Sequence, residues 1–219
     1  MNAFFITGTD TGVGKTFVSC ALLQALARRH PRVVGMKPVA AGLVPTPDGW
    51  DSEDAIALRS ASTVRVPPAL DNPVRLPDPL SPHLAAERAG TRIDIHHLVA
   101  CQRELAKRAD AMVVEGAGGF LVPLTPEHTG ADLAQALGLP VLLVVGLRLG
   151  CLNHALLSAE AIRARGLTLA GWVANRIDPG MAAADENIAF LRQRLGAPLL
   201  ADIPHSATPD FRAVHIELP

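Results

Sequence analysis

The segment Gly8-Thr-Asp-Thr-Gly-Val-Gly14-Lys15-Thr16 constrains this chain more than any other feature. It follows Ala3–Thr7, an apolar run of strand length. It opens the stretch Lys15–Arg29, on which Phe17, Ala21, Leu22, Ala25 and Leu26 share one helical face. A strand, a glycine-rich turn and a helix in that order bring free backbone N–H groups and the positive end of a helix to one point. Lys15 is then placed to reach terminal phosphates, and the Thr16 hydroxyl to ligate Mg²⁺. The usual loop has four residues between its outer glycines, whereas Gly8 and Gly14 enclose five. The alternative is a glycine-rich turn with a chance Gly-Lys-Thr, but the strand–loop–helix context favours a nucleotide-binding loop.

The rest of the chain repeats the alternation. Arg32–Lys37, Ala111–Glu115, Val141–Gly146, Leu169–Asn175 and Leu199–Ile203 are short apolar runs without polar alternation, as expected of strands buried on both faces. Asp94–Arg108, Gly130–Leu137, Asn153–Arg165 and Asp185–Leu195 have helical patterning. The pattern predicts an α/β fold: a single doubly wound domain over residues 1–219, with a mostly parallel sheet flanked by helices, of the P-loop NTPase kind. Residues 64–82 break the rhythm. Pro67, Pro68, Pro73, Pro77, Pro79 and Pro82 predict extended backbone there, as a long excursion beside the site.

Composition narrows the partners. Hydrophobic residues make up 49% of the 219, enough for a sizeable core, and 20 basic against 21 acidic residues leave a formal charge of −1. Neither a basic face for nucleic acid nor a charged tail is expected. Cys20, Cys101 and Cys151 are widely spaced and predict neither a disulfide framework nor structural zinc. Leu137–Leu147, the longest apolar run at eleven residues, is interrupted by Gly138 and Pro140 and is too short to span a bilayer. The N-terminus lacks the cationic region of a signal peptide. A cytoplasmic protein without membrane or nucleic-acid partners is expected.

Several residues outside the loop are placed to do chemistry. Glu115 ends an apolar run and precedes Gly116-Ala117-Gly118-Gly119. The carboxyl end of a parallel strand lines the ligand crevice of such folds, so Glu115 can hold Mg²⁺ opposite Thr16; a solvated strand-ending acid is the plainer reading. Lys37 ends another run before Pro38. It could neutralise a carboxylate or a transferring phosphoryl group, or simply meet solvent. Asp48, Asp51, Glu53 and Asp54 cluster after it, and spacing does not choose a metal ligand among them. The turn Leu149-Gly150-Cys151-Leu152-Asn153-His154 could capture a carboxylate on free N–H groups, or be an ordinary turn capped by Asn153. Asn175 offers the donor and acceptor that match the edge of adenine, or is a turn residue. His30, His96, His97 and His128 lack ligand spacing and are expected at the surface.

Thr7–Thr16 with its five-residue spacing, Lys37-Pro-Val39, Val114–Gly119, Leu149–His154 and Ala170-Gly-Trp-Val-Ala-Asn175 together resemble the dethiobiotin synthetases, from residue 3 to about 205. The resemblance implies an ATP- and Mg²⁺-dependent carboxylation and ring closure. An amine of 7,8-diaminopelargonate takes up CO₂ as a carbamate, ATP phosphorylates it, and the neighbouring amine closes the ring. By matching positions, Thr16, Asp54 and Glu115 hold Mg²⁺, while Lys15, Lys37 and Thr11 act on carbamate and phosphoryl oxygens. Nucleotide contacts fall to Gly12, Val13, Gly14, Lys15, Thr16, Phe17, Asp54, Glu115, Gly116, Ala117, Gly118, Asn175, Arg176, Pro204, His205 and Ser206. Substrate contacts fall to Lys37, Ala41 and the Gly150–Asn153 turn, which is expected to serve a site centred on the other subunit of a homodimer. Ala41 stands where the family often has Ser or Thr, Gly12 where some members have Glu, and Asn187 where an aromatic ring occurs.

Two rivals share the loop. Glutamine-dependent amide synthetases of cobalamin synthesis need a glutaminase domain for which 219 residues leave no room. Partition and septum-site ATPases usually carry an extra lysine early in the loop, where this chain has Thr9, Asp10 and Thr11.

Overall fold

The computed structural model describes residues 2–219. Its centre is a six-stranded, all-parallel sheet in the order β10-β9-β8-β1-β7-β2. The strands are β1 (Asn2–Gly8), β2 (Val33–Met36), β7 (Ala111–Gly119), β8 (Val141–Gly146), β9 (Leu169–Asn175) and β10 (Leu199–Ile203). Each is among the runs read as apolar from sequence. Successive side chains of a strand point to opposite faces, and here both faces are covered. On β8, Val141, Leu143 and Val145 enter one core while Leu142 and Val144 enter the other; β7 divides Met112 and Val114 from Val113 in the same way.

Helices fill both layers. α1 (Lys15–Ala27) packs Val18, Leu22 and Leu26 into one core, against α2 (Glu53–Ala61) and a 3₁₀ turn at Phe211–Ala213. α5 (Ile95–Ala106), α6 (Gly130–Leu137), α7 (Cys151–Ala164) and α8 (Ala184–Arg194) supply the other, with Leu105, Ala131, Ala155 and Leu191. Among the described residues no helix is long and apolar enough to cross a membrane.

Two regions depart from the sequence expectation. A hairpin of β4 (Val44–Thr46) and β5 (Gly49–Asp51) leads into α2, which periodicity did not reveal because only Ala55 and Leu58 of its nine residues are buried. Ser52 caps it, its hydroxyl accepting from Ala55 N at 3.4 Å. The proline-rich excursion is not uniformly extended: it holds α3 (Pro68–Asp71) and β6 (Val74–Leu76), and ends where α4 (Pro82–Ala89) begins. Pro68 and Pro82 each stand at the start of a helix, where the missing N–H costs nothing and the fixed φ suits the turn. β6 pairs in parallel with β3 (Val39–Ala41), which continues from Lys37-Pro38. That small sheet ties the excursion to the end of β2.

Leu143 lies fully buried at the middle of the central sheet. Leu143→Ala is expected to lower unfolding stability by about 2–5 kcal/mol in urea titration, because the cavity it leaves cannot collapse between paired strands. A loss below about 1 kcal/mol would mean that the two layers close over the gap.

Candidate active site

The carboxyl ends of β1, β2 and β7 meet where the strand order places β1 between β7 and β8, the position at which doubly wound sheets bind ligands. The loop after β1 needs its glycines. Gly12 and Gly14 have φ of +75° and +88°, and a Cβ on Gly14 would lie 2.2 Å from Asn175 Nδ2. Asn175, at the end of β9, donates from Nδ2 to Val13 O at 2.8 Å. Its amide is therefore engaged with the loop itself, a contact that sequence reading did not suggest. Lys15 Nζ donates to Asp10 O at 2.9 Å, and Thr11 N donates to Asp10 Oδ1 at 2.7 Å. The Asp10 carboxylate also pairs with Arg148, from the loop after β8.

Beside the loop four functional groups converge. Lys37 Nζ lies 2.7 Å from Asp54 Oδ2 and 2.6 Å from Glu115 Oε1. Thr16 Oγ1 lies 2.7 Å from Asp54 Oδ1 and 2.9 Å from Glu115 Oε1, its single proton serving one carboxylate at a time. The Glu115 side chain is 0% exposed and that of Lys37 5%, whereas Asp54 is open to solvent at 42%. Of the four clustered acids only Asp54 reaches this point: Asp51 is held by Arg59, and Asp48 and Glu53 are exposed. Burial alone would lower the Lys37 pKa, but Glu115 and Asp54 outweigh it and hold the ammonium above its ordinary range. Burial would likewise raise Asp54, and the charge and hydrogen bond of Lys37, with that of Thr16, hold it below the usual carboxylate range.

These donors fit Mg²⁺. Among the described residues no cluster of three or more His, Cys, Asp or Glu side chains forms a self-sufficient metal cage. Two carboxylates and a hydroxyl beside a phosphate loop are instead the partial set that Mg²⁺ completes with phosphate oxygens and water. Glu115 Oε2 is buried without a hydrogen-bond partner, an acceptor left over for a ligand.

Two clefts adjoin at Gly14. One, of about 770 Å³, is lined by Thr11, Gly12, Lys15, Thr16, Lys37, Ala41, Asp54, Glu115, Ala117 and Gly118, with Pro79–Pro82 forming its far wall. The second, of about 630 Å³, is lined by Phe17, Asn175, Arg176, Pro204, His205 and Ser206, and by Thr208–Asp210 and Ala213–His215 from the C-terminal segment. The C-terminal residues had no motif to announce them; Ile216 anchors them in the core behind α1. Gly116 borders the first cleft from behind, where a Cβ would meet the Phe5 ring at 2.9 Å, and Val13 is buried beneath the loop.

The Gly150–Asn153 turn lines neither cleft. Gly150, at φ +93°, caps α7 in place of Asn153, which lies exposed inside the first turn. Cys151 points into the core and its N–H is taken by Arg148 O at 3.0 Å, so the turn offers fewer free amides than its sequence suggested. Asn187 is half-buried on α8 and lines neither cleft. His96, His97 and His128 are exposed, and the half-buried His30 ring meets Asn2 Nδ2 at 3.0 Å.

A family model described as an AAA domain matches residues 2–210. The chain is 55% identical over 210 residues to the ATP-dependent dethiobiotin synthetase BioD of Aromatoleum aromaticum, covering 95% of this chain and 92% of that protein. The chain belongs to the ATP-dependent dethiobiotin synthetase family. It is therefore a ligase, and ATP binding is part of its chemistry. Solved structures give the fold at much lower identity. The MinC:MinD cell division complex of Aquifex aeolicus superposes with a TM-score of 0.59 at 16% identity, over 94% of this chain and 82% of that one. A ParA family ATPase of Chlorobium tepidum gives 0.57 at 15%, over 94% and 84%. At that identity these neighbours share the P-loop NTPase architecture and nothing more specific.

Lys15 yields a proton-linkage test. Burial first, then the neighbouring Lys37 charge, lowers its pKa from 10.5 to about 8. At pH 9 the side chain is therefore mostly neutral, and a polyphosphate beside it favours the ammonium form. Binding of a non-hydrolysable ATP analogue at pH 9 is expected to take up ~1 proton, falling toward none at pH 7, where Lys15 is already charged. Calorimetry in two buffers of different ionisation enthalpy reads this directly. Uptake that persists in Lys15→Arg would assign the proton elsewhere.

Proposed function

We propose that this synthetase closes the ring of dethiobiotin from 7,8-diaminopelargonate, CO₂ and ATP, releasing ADP and phosphate. The observation that carries the reading is the meeting of Lys37, Asp54, Glu115 and Thr16 in one cleft at the mouth of the phosphate loop. An amine adds to CO₂ and loses a proton, giving a carbamate. The carbamate oxygen then attacks the γ-phosphorus of ATP, and ADP leaves. The neighbouring amine attacks the carbonyl carbon of the mixed anhydride, phosphate departs, and the second proton goes to solvent. No covalent enzyme intermediate is needed, so the protein's work is positioning, charge neutralisation and exclusion of water.

In this reading Gly12, Val13, Gly14 and Phe17 place the triphosphate and nucleoside along the loop and α1. Asn175, Arg176, Pro204, His205 and Ser206 surround the base, with Gly116, Ala117 and Gly118 behind the phosphates. Thr16, Asp54 and Glu115 would hold Mg²⁺, which screens phosphate charge when bound. Lys15 and Lys37 offer ammonium groups to carbamate and phosphoryl oxygens, and Thr11 offers a hydroxyl from the same wall. Ala41 contributes shape rather than a hydrogen bond. The buried Lys37 must stay protonated for this work, and its two carboxylate partners favour that form.

A single domain and a cytoplasmic homodimer complete the proposal. The Gly150–Asn153 turn lies outside its own protomer's clefts, which agrees with service to a neighbouring subunit. Leu149 is 97% exposed immediately before it, and Leu121 and Leu157 are exposed beside a groove running along α7. Apolar side chains left in water next to a substrate-binding turn favour burial against a second copy.

The deciding assay is ADP release from Mg²⁺-ATP and bicarbonate, with and without 7,8-diaminopelargonate, followed by product mass. Diamine-dependent ADP and a dethiobiotin mass are expected; ATP binding without diamine dependence would overturn the substrate assignment. Lys37→Ala is expected to reduce turnover at least 100-fold while ATP affinity changes little. Turnover near the parental rate would remove Lys37 from the chemistry.

A further inference from the structure

Lys37 is gripped at its backbone by residues that touch neither cleft. Its N–H donates to Asp71 O at 2.7 Å, and its C=O accepts from Asn72 Nδ2 at 2.6 Å. Asn72 is 0% exposed and Asp71 2%; both stand at the end of α3, in the proline-rich excursion. Because Pro38 follows, the Lys37–Pro38 link has no further N–H with which to join the sheet. These two bonds therefore hold the residue at the point where β2 gives way to β3. The Asp71 carboxylate in turn receives two bonds from Arg59, Nε to Oδ2 at 2.7 Å and Nη2 to Oδ1 at 2.8 Å, while Arg59 Nη1 pairs with Asp51. Arg59 lies on α2, the helix that carries Asp54. One guanidinium thus joins the segment that holds Lys37 to the helix that holds its carboxylate partner.

We propose that Asn72, with the Arg59–Asp71 pair, is a positioning device that sets where the Lys37 ammonium stands relative to Asp54 and Glu115. Neither Asn72 nor Arg59 meets substrate. Asn72 acts through the Lys37 carbonyl, and Arg59 through the spacing of α2 and α3. A bidentate, nearly buried guanidinium–carboxylate contact suits this task because its fork fixes orientation as well as distance. A shift of about 1 Å at a reacting group costs on the order of 100-fold in rate even when the change lies away from the chemistry. The inference rests on the role given to Lys37 above.

The test compares kcat, ATP-analogue affinity and melting midpoint for Lys37→Ala, Asn72→Ala and Arg59→Lys in the full chain. Asn72→Ala is expected to repeat the Lys37→Ala pattern in weaker form: kcat down about 10–100-fold, analogue Kd within about threefold of the parent. Arg59→Lys keeps the charge but loses the fork, and is expected to lower kcat about 5–10-fold at the same Kd. It decides the matter if Asn72→Ala does not fold. Parental kcat in the folded variant would overturn the inference. So would kcat and analogue affinity falling together with the melting midpoint, which is the mark of a merely structural residue. Parental turnover in Lys37→Ala would instead overturn the assigned role of Lys37, and is read separately from the other two variants.

Discussion

The contact of Lys37 with Glu115 is the constraint around which this site is built. A fully buried carboxylate is tolerated only when it is paired and hydrogen-bonded, since desolvation of an isolated charge costs several kcal/mol. Glu115 meets that demand on one oxygen, which accepts from Lys37 and lies within reach of the Thr16 hydroxyl that it shares with Asp54. Those contacts require β1, β2, β7 and α1 to keep one relative position, because Glu115 stands on β7, Lys37 immediately after β2, and Thr16 on α1, the helix that follows β1. The remaining oxygen has no partner, and Asp54 is open to water on the other side. The cluster is thus satisfied on its core side and incomplete toward the cleft, an arrangement suited to receiving a cation and phosphate oxygens.

The parallel sheet explains how such a cluster can exist. All six strands point the same way, so their carboxyl ends share one rim, and each loop leaving that rim can contribute a side chain. Burial on both faces gives the strands a rigid frame, and the groups they carry need little rearrangement to meet. The loop after β1 is fixed twice more, by Asn175 from β9 and by Arg148 from the loop after β8. Contacts of this kind link the phosphate-facing backbone to the far half of the sheet.

Much of this was legible in the residues. The glycine loop, the six apolar runs and the acids and lysine at strand ends were visible because strand-to-helix alternation leaves a periodic trace. Asp54 could not be told from Asp48, Asp51 and Glu53 by spacing, since α2 is mostly exposed and its polar sequence carries no clear period. Pro68 and Pro82 were read as extended backbone, whereas each starts a helix; proline permits both, and only the following residues' packing decides. The Gly150–Asn153 turn could be a set of free amides or an ordinary turn by its sequence, and in the fold one of its amides is spent on Arg148 O. The second cleft's C-terminal wall had no motif, being held by a few apolar side chains such as Ile216.

What the sequence by itself determined is local: a phosphate loop between a strand and a helix, the fold class, and the family to which its motifs belong. These follow from short-range rules, in which glycine placement and apolar period act within a few residues. Tertiary structure alone decided which acid meets Lys37, that Asn175 braces the loop, and that Asp71 and Asn72 hold the Lys37 backbone from a distant proline-rich segment. Those partners lie 17 to 162 residues apart in the chain. Their meeting depends on how the layers close over the sheet, and no local pattern records that.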